Sequence, residues 1–223
     1  ALLTSNPAIA SDVAMLFNAL TGYAGEHPYR CLMVAPSGVR KGMLDRIERV
    51  TAQHQQTGQG YIAFKLNALT DPACIQALYR ASQAGVTVDL QIRGVCGLRP
   101  GVPGVSDRIT VTSLVGRFLE HSRIFYFRFE QGEEELWMGS ADLMPRNLDG
   151  RIEVVFPVEA VHLRQAIRDD ILFPHLRDTA HLRRMNEQGL YERVAPQPDE
   201  APLDSQQQML ERAGTWNQTP LER

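Results

Sequence analysis

The spacing of apolar residues changes several times along the chain, and each change marks an element. From Pro7 to about residue 22 the apolar positions recur at helical spacing. Ile9, Val13, Leu16, Phe17 and Leu20 share one face of a helix opened by Asn6-Pro7. "RCLMVAP" (30–36) is a continuous apolar run closed by Pro36 and Gly38, which predicts a strand buried on both faces. A second helical period covers about 39–55, with Val39, Met43, Ile47 and Val50 inward, and "GYIAFKLN" (60–67) is a second strand. Asp71-Pro72 opens a third helix, with Ile75, Leu78, Tyr79 and Ser82 inward and Gly85 at its end. "VTVDLQIR" (86–93) is the third strand.

Strand–helix–strand–helix–strand predicts a parallel α/β sheet with right-handed crossovers. "GVCGLRPGVPGVSD" (94–107) then breaks the texture with four glycines and two prolines. It follows the C-terminal end of a strand, where open α/β sheets bind ligands, and loops of this length are usually functional. Four strand-like segments come next, at 109–115, 121–129, 134–140 and 150–157, with "EQGEEE" (130–135) as an exposed hairpin tip. A helix over about 159–173, with Val161, Leu163, Ile167, Ile171 and Leu172 inward, closes a predicted domain of residues 1–177. From 178 to 223 the chain reads as a polar C-terminal extension. It contains "APQPDEAPLD" (195–204), which is linker chemistry, and a short terminal helix is expected around 203–213. The chain opens on "ALLTSNPAIA" without an initiator methionine, which suggests a piece of a longer protein.

Composition narrows the partners. Hydrophobic residues make up 43% and charged residues 22%, ordinary for a globular protein, and the net charge is -3. That charge gives no global pull toward nucleic acid or a membrane surface, so an anion site must be a local cluster of arginines. Cys31, Cys74 and Cys96 are odd in number and lack metal-ligand spacing, and they read as buried small hydrophobes in a reduced, cytoplasmic protein. No signal-peptide pattern is read in these residues, and no apolar run is long enough to span a bilayer.

"RFLEHSRIFYFR" (117–128) is where packing alone stops explaining the sequence. Phe118, Leu119 and residues 124–127 look like a strand entering a core, yet Glu120, His121 and Arg123 interrupt it with charge. The other histidines, His27, His54, His162, His175 and His181, are assigned to turns, helix surfaces or the tail, in solvated or capping roles. His121-Ser122-Arg123 followed by Gly139-Ser140-Ala141-Asp142 resembles the phospholipase D superfamily signature, His-x-Lys and then Gly-Ser-x-Asn. That set of groups suits phosphoryl chemistry: an imidazole to move a proton, a cation to hold oxygens, and small residues that admit the phosphate. Arginine replaces the lysine here, aspartate replaces the asparagine, and Arg128 occupies the position of the superfamily's following aspartate.

Several further segments, "KLNAL" (65–69), "LYRASQAGV" (78–86), "IRGVCGLRPGVPG" (92–104), "VGRFLEHSRIFYF" (115–127), "SADLMPRNLD" (140–149) and "RIEV" (151–154), together resemble the C-terminal catalytic domain of bacterial polyphosphate kinase. The resemblance runs from residue 2 to about 190 and is densest over 65–157. It implies a phospholipase D-like α/β fold, a mixed sheet flanked by helices. It also implies a phosphotransferase that moves the ATP γ-phosphate reversibly to inorganic polyphosphate through a phosphohistidine, with magnesium. ATP, ADP and polyphosphate are then the partners, with no nucleic acid. For the full-length protein it implies a homo-oligomer, with peripheral membrane association as an option. Carried over by motif, Arg93 and His121 are the ATP-site residues, and Arg151 and Glu153 are active-site companions. Arg93 would neutralise phosphate with a bidentate fork, which lysine cannot copy. His121 would protonate a phosphate oxygen, and Glu153 would orient and charge the imidazole. In "RIEVV", alternation predicts Ile152 and Val154 facing the core and Glu153 facing a polar site that includes His121.

The phosphorylated histidine, the adenine-stacking tyrosine and the magnesium ligands are expected outside this chain. The chain alone is therefore expected to fold and bind anions without transferring phosphate. Leu143 stands where family members commonly carry tryptophan. Lys65 and Asn67 fall on the expected ligand rim. Arg99, Arg117, Arg123, Arg146 and Asn147 stay open between phosphate contact and ordinary surface or capping roles. Two other functions remain: a phospholipase D-like phosphodiesterase or nuclease, separable by a lipid or DNA cleavage assay, and a non-catalytic anion-binding module.

Overall fold

Residues 124–127 are buried on both faces, and a strand with two apolar faces belongs inside a sheet. They lie in β5 (Arg123–Arg128), which pairs antiparallel with β2 (Tyr61–Leu66) on one side and β6 (Glu134–Gly139) on the other. β2 pairs with β3 (Thr87–Ile92), and β3 with β4 (Ile109–Leu114), both in parallel. The computed structural model describes residues 2–22, 28–36 and 38–212. Among these, one nine-stranded mixed sheet runs in the order β1-β7-β6-β5-β2-β3-β4-β8-β9.

The predicted parallel sheet is thus confined to β2, β3 and β4. The strand expected over 30–36 shrinks to β1 (Met33–Val34), which pairs antiparallel with β7 (Val154–Pro157) at the sheet's edge. The fully apolar β5 takes the place beside β2 and brings β6 and β7 with it, which pushes β1 outward. Helices cover both faces. α2 (Gly38–Thr57) and α3 (Pro72–Gln83) pack Val39, Met43, Ile47, Val50 and Leu78 against Ile62, Phe64 and Leu90. On the other side, Leu172 packs against Ala63, Ile124 and Tyr126. It lies in α5 (Val161–Ala166), a π-helical stretch (Ile167–Leu172) and α6 (Phe173–Arg177), which together replace the helix expected over 159–173. Asp71 joins α2 to α3. It caps α3 by accepting from the Cys74 backbone N–H (3.0 Å), and it takes the Nε (3.0 Å) and Nη2 (2.8 Å) of Arg40.

Three further expectations change. α1 (Pro7–Leu20) buries Ile9, Asp12 and Leu16, while Phe17 is 62% exposed, because Asp12 turns inward to accept the backbone N–H groups of Arg30, Cys31 and Leu32. The strand expected over 150–157 starts only at Val154, and residues 145–150 form α4 (Pro145–Gly150), with proline in its first turn. The polar extension continues the sheet: β8 (Leu182–Met185) adds to β4, β9 (Tyr191–Arg193) adds to β8, and α7 (Ser205–Glu211) follows. His27 and the tail beyond 212 lie outside the described residues.

Because β5 runs against β2 and β3, its beginning lies at their C-terminal ends. β6 ends and β7 begins at that same rim. Gly139 is required there, since a Cβ would stand 2.2 Å from the Val154 carbonyl oxygen.

Candidate active site

Asp142 is the centre on which the rim is built. Its Oδ1 accepts from the backbone N–H of Asn67 (2.8 Å) and of Ala68 (3.1 Å), just past the end of β2. Both of its oxygens also take Arg123, Nε at 3.2 Å and Nη2 at 2.9 Å, with both side chains largely buried. The arginine and the aspartate that depart from the superfamily signature are therefore partners in one bidentate ion pair. The remaining Arg123 nitrogen, Nη1, donates to the His121 carbonyl (3.0 Å) and shapes the turn before β5. A cation bound in this way is not available to hold phosphate.

Arg93, one residue beyond β3, is held differently. Its Nε (3.1 Å) and Nη2 (2.6 Å) donate to the Asn67 carboxamide oxygen, and its Nη2 lies 3.5 Å from His121 Nδ1. Its Nη1 is buried and, among the described residues, has no partner. A buried cationic donor without an acceptor is costly. A phosphoryl oxygen would satisfy it.

His121 is exposed, two residues before β5. Arg123, slight burial and Arg93 together lower its pKa below the usual 6.5, against a smaller upward pull from Asp142. The ring is therefore neutral at pH 7. A guanidinium can only donate, so the Arg93 contact leaves Nδ1 bare and puts the ring proton on Nε2. Lys65 is buried, with its Nζ 3.0 Å from Ser122 Oγ and 3.0 Å from a Glu120 oxygen. Burial lowers the Lys65 pKa, and Glu120 only partly restores it.

The structure brings Arg93, His121, Lys65 and Asn67 together. It does not bring the Glu153 carboxylate to the imidazole. Glu153 accepts from Asn147 Nδ2 (2.6 Å), and the charges facing His121 are Arg123, Arg93, Asp142 and Lys65. The reason is local. β7 starts only at Val154, so strand alternation does not reach back to 153; Ile152 is 55% exposed and Glu153 only 7%. Arg151 stands exposed at the end of α4, and Arg146 and Arg99 are exposed as well. Asn147 supports Glu153. Arg117 lies over the Phe118 ring at 5.3 Å.

His175 is a second correction. It is buried under β3, where its carbonyl accepts from Gln91 Nε2 (3.0 Å), and burial drops its pKa to about 4. The structural weight of Asp142 was also missed, although one signal was present: two departures of opposite charge in neighbouring motifs. Among the described residues no group of three or more His, Cys, Asp or Glu side chains is arranged to hold a metal, and Asp142 and Glu120 are committed to Arg123 and Lys65. These residues do not fit a magnesium ion bound by this chain. No helix among the described residues is long and apolar enough to cross a membrane.

Residues 32–206 match a family model described as polyphosphate kinase C-terminal domain 2. Polyphosphate kinase 1 of Chlorobaculum tepidum is 51% identical over 168 residues, covering 75% of this chain and 24% of that protein. Polyphosphate kinase of Mycobacterium leprae is 46% identical over 215 residues, 95% of this chain and 28% of its own length. The crystal structure of polyphosphate kinase from Porphyromonas gingivalis superposes with a TM-score of 0.91 at 37% identity, over 97% of this chain and 33% of that one. The chain thus spans about a quarter of the length of the curated relatives it matches.

Proposed function

Because the chain belongs to the polyphosphate kinase C-terminal domain 2 family, we propose that it forms a nucleotide- and polyphosphate-binding domain of a cytoplasmic phosphotransferase. The reaction is reversible transfer of the ATP γ-phosphate to the end of an inorganic polyphosphate chain. On this reading the phosphohistidine that carries the group between them, and the residues that stack on adenine, are assigned outside these 223 residues. The whole protein is assigned a homo-oligomeric state, with peripheral membrane association as an option. Magnesium that accompanies ATP is assigned ligands on the phosphates and outside this chain.

The observation that carries this reading is the Arg93 guanidinium, fixed by Asn67 beside His121 with a buried donor left over. Arg93 binds a phosphoryl group through its fork. His121 donates from Nε2 to a phosphate oxygen and delivers a proton as charge develops there. When an oxyanion draws the Arg93 donors onto itself, Nδ1 is freed to take up a proton. Arg151 extends the cationic rim toward the chain of phosphates, and Glu153 supports the rim through Asn147. A phosphodiesterase reading has less support, since Arg123, the cation of its signature, is committed to Asp142.

Titration calorimetry of this chain with tripolyphosphate and ATP tests the reading through its proton balance. The free His121 pKa lies below 6.5, and a bound polyanion raises it, so the complex holds more protons than its parts between the two values. Binding at about pH 6.5 is expected to take up a fraction of a proton more in this chain than in its His121→Asn variant, read from buffers of different ionisation heat, a difference that cancels the titration of the phosphates themselves. Binding is also expected to weaken with salt. Equal proton balance in the chain and its His121→Asn variant would remove His121 from the site, and no binding of either anion would overturn the reading.

A further inference from the structure

The loop that carries His121 has little packing of its own. Residues 115–122 cross from β4 to β5 with no regular structure, and Val115, Phe118 and Leu119 are exposed. His121 is also exposed, and among the described residues its ring has one loose hydrogen-bond contact, the one to Arg93. Something else must fix this loop if the imidazole is to be held against a phosphate.

That support comes from the opposite end of the sequence. Gln206, near the start of α7, is only 4% exposed. Its Oε1 accepts from the Phe118 backbone N–H (2.9 Å), and its Nε2 donates to the Phe118 carbonyl (2.9 Å) and to Glu120 Oε1 (2.7 Å). One carboxamide thus matches both peptide groups of Phe118, as a neighbouring strand would. Glu120 passes the constraint on: its other oxygen meets Lys65 Nζ, which also bonds Ser122 on the far side of His121. Gly116 makes room for the clamp, since a Cβ there would lie 2.6 Å from Gln206 Oε1. α7 is itself tied down. Asp178, fully buried, accepts from the Ser205 backbone N–H (2.8 Å), the Ser205 hydroxyl (2.7 Å) and the His181 N–H (2.7 Å). Asp204 caps the helix through the Gln207 N–H (3.0 Å). The family match runs through to Gln206.

Buried polar groups satisfied this completely are a rigid connection, and removing one member leaves its partners without bonds. We propose that Gln206 is a positioning residue for the phosphotransfer site: from the C-terminal helix it holds the 116–122 loop so that His121 stands beside Arg93. The proposal rests on the phosphotransferase reading for its consequence, though not for its geometry. The polar C-terminal segment is then part of the site's architecture, and a chain cut before residue 205 keeps the sheet but loses the placement of His121. The charged groups facing His121 come from four places, Arg93 after β3, Arg123 in β5, Lys65 in β2 and Asp142 after β6. Releasing the loop moves the ring away from a net positive field.

The test compares this chain with its Gln206→Ala and Gln206→Met variants; the methionine fills similar space, carries no charge and cannot donate to Phe118 or Glu120. The readouts are the NMR titration of the His121 ring, the affinity for tripolyphosphate and the thermal midpoint. Both variants are expected to raise the His121 midpoint toward its ordinary value and to weaken tripolyphosphate binding about tenfold at temperatures where the fold is intact. An unchanged His121 titration would overturn the proposal, as would affinity lost only in proportion to unfolded protein. Arg93→Ala, run in parallel, separates the two ideas. If it leaves binding intact, the functional reading fails, and the clamp is judged on the His121 titration, which needs no ligand. Should both variants fail to fold, hydrogen exchange in the unmodified chain decides. A Phe118 amide protected well above its exposed neighbours supports the clamp, and one exchanging at the rate of a free loop removes it.

Discussion

Asp142→Ala is expected to destabilise this chain by about 3–5 kcal/mol, the usual result of removing one partner from a buried ion pair. The mutation leaves the Arg123 guanidinium without its anion in a largely buried place, and it strips the acceptor from the Asn67 and Ala68 N–H groups. Against a typical total of about 5–15 kcal/mol, that is a large fraction. Asp142→Asn keeps an acceptor for the two backbone groups and loses only the charge, so a smaller loss is expected. Adding Arg123→Lys to it restores the pairing of types in the superfamily signature, and the double variant should be more stable than the two single effects summed. A urea-unfolding double-mutant cycle measures this coupling. Additive effects, or a loss below about 1 kcal/mol for the alanine variant, would mean that the pair is a surface contact of the weak kind.

How far the fold could be read follows from where the sequence is periodic. α2 and α3 obey helical spacing, and Asp71-Pro72 opens α3 through a side-chain cap, so both were legible. The position of β1 was not. A short apolar run gives no sign of its neighbours, and only the two-sided burial of β5 decides which strand sits next to β2. β8 was invisible for a related reason: two exposed arginines stand between Leu182 and Met185, which hides four residues of edge strand in a polar tail. At the site, motif spacing placed Arg93 and His121 on one rim because parallel and antiparallel strands share that end. Glu153 was misread because alternation was extended one residue beyond the strand that enforces it. Gln206 had no local signal at all, since its partners lie 88 and 86 residues away in sequence.

Arg93→Ala is expected to weaken tripolyphosphate and ATP binding by about 2–5 kcal/mol, on the order of 30-fold to several-thousand-fold, as when one partner of a close charged contact is removed. The chain carries net charge -3, so no general attraction replaces the lost cation, and Arg123 and Lys65 already have carboxylate partners. Stability should change little by comparison. Arg93 donates to one neutral carboxamide, and its removal also eliminates the buried Nη1 that lacks a partner. That contrast separates Arg93 from Asp142, whose loss should appear first in the unfolding curve. Arg93→Lys keeps the charge without the planar fork and should recover only part of the affinity. Under the proposed function, Arg93→Ala placed in a full-length polyphosphate kinase with this chain as its C-terminal domain should reduce transfer from ATP to polyphosphate by a factor comparable to its loss of affinity. Full transfer activity and unchanged anion affinity in Arg93→Ala would refute the assignment, and the phosphate would then have to be sought beside Arg151 and Arg146.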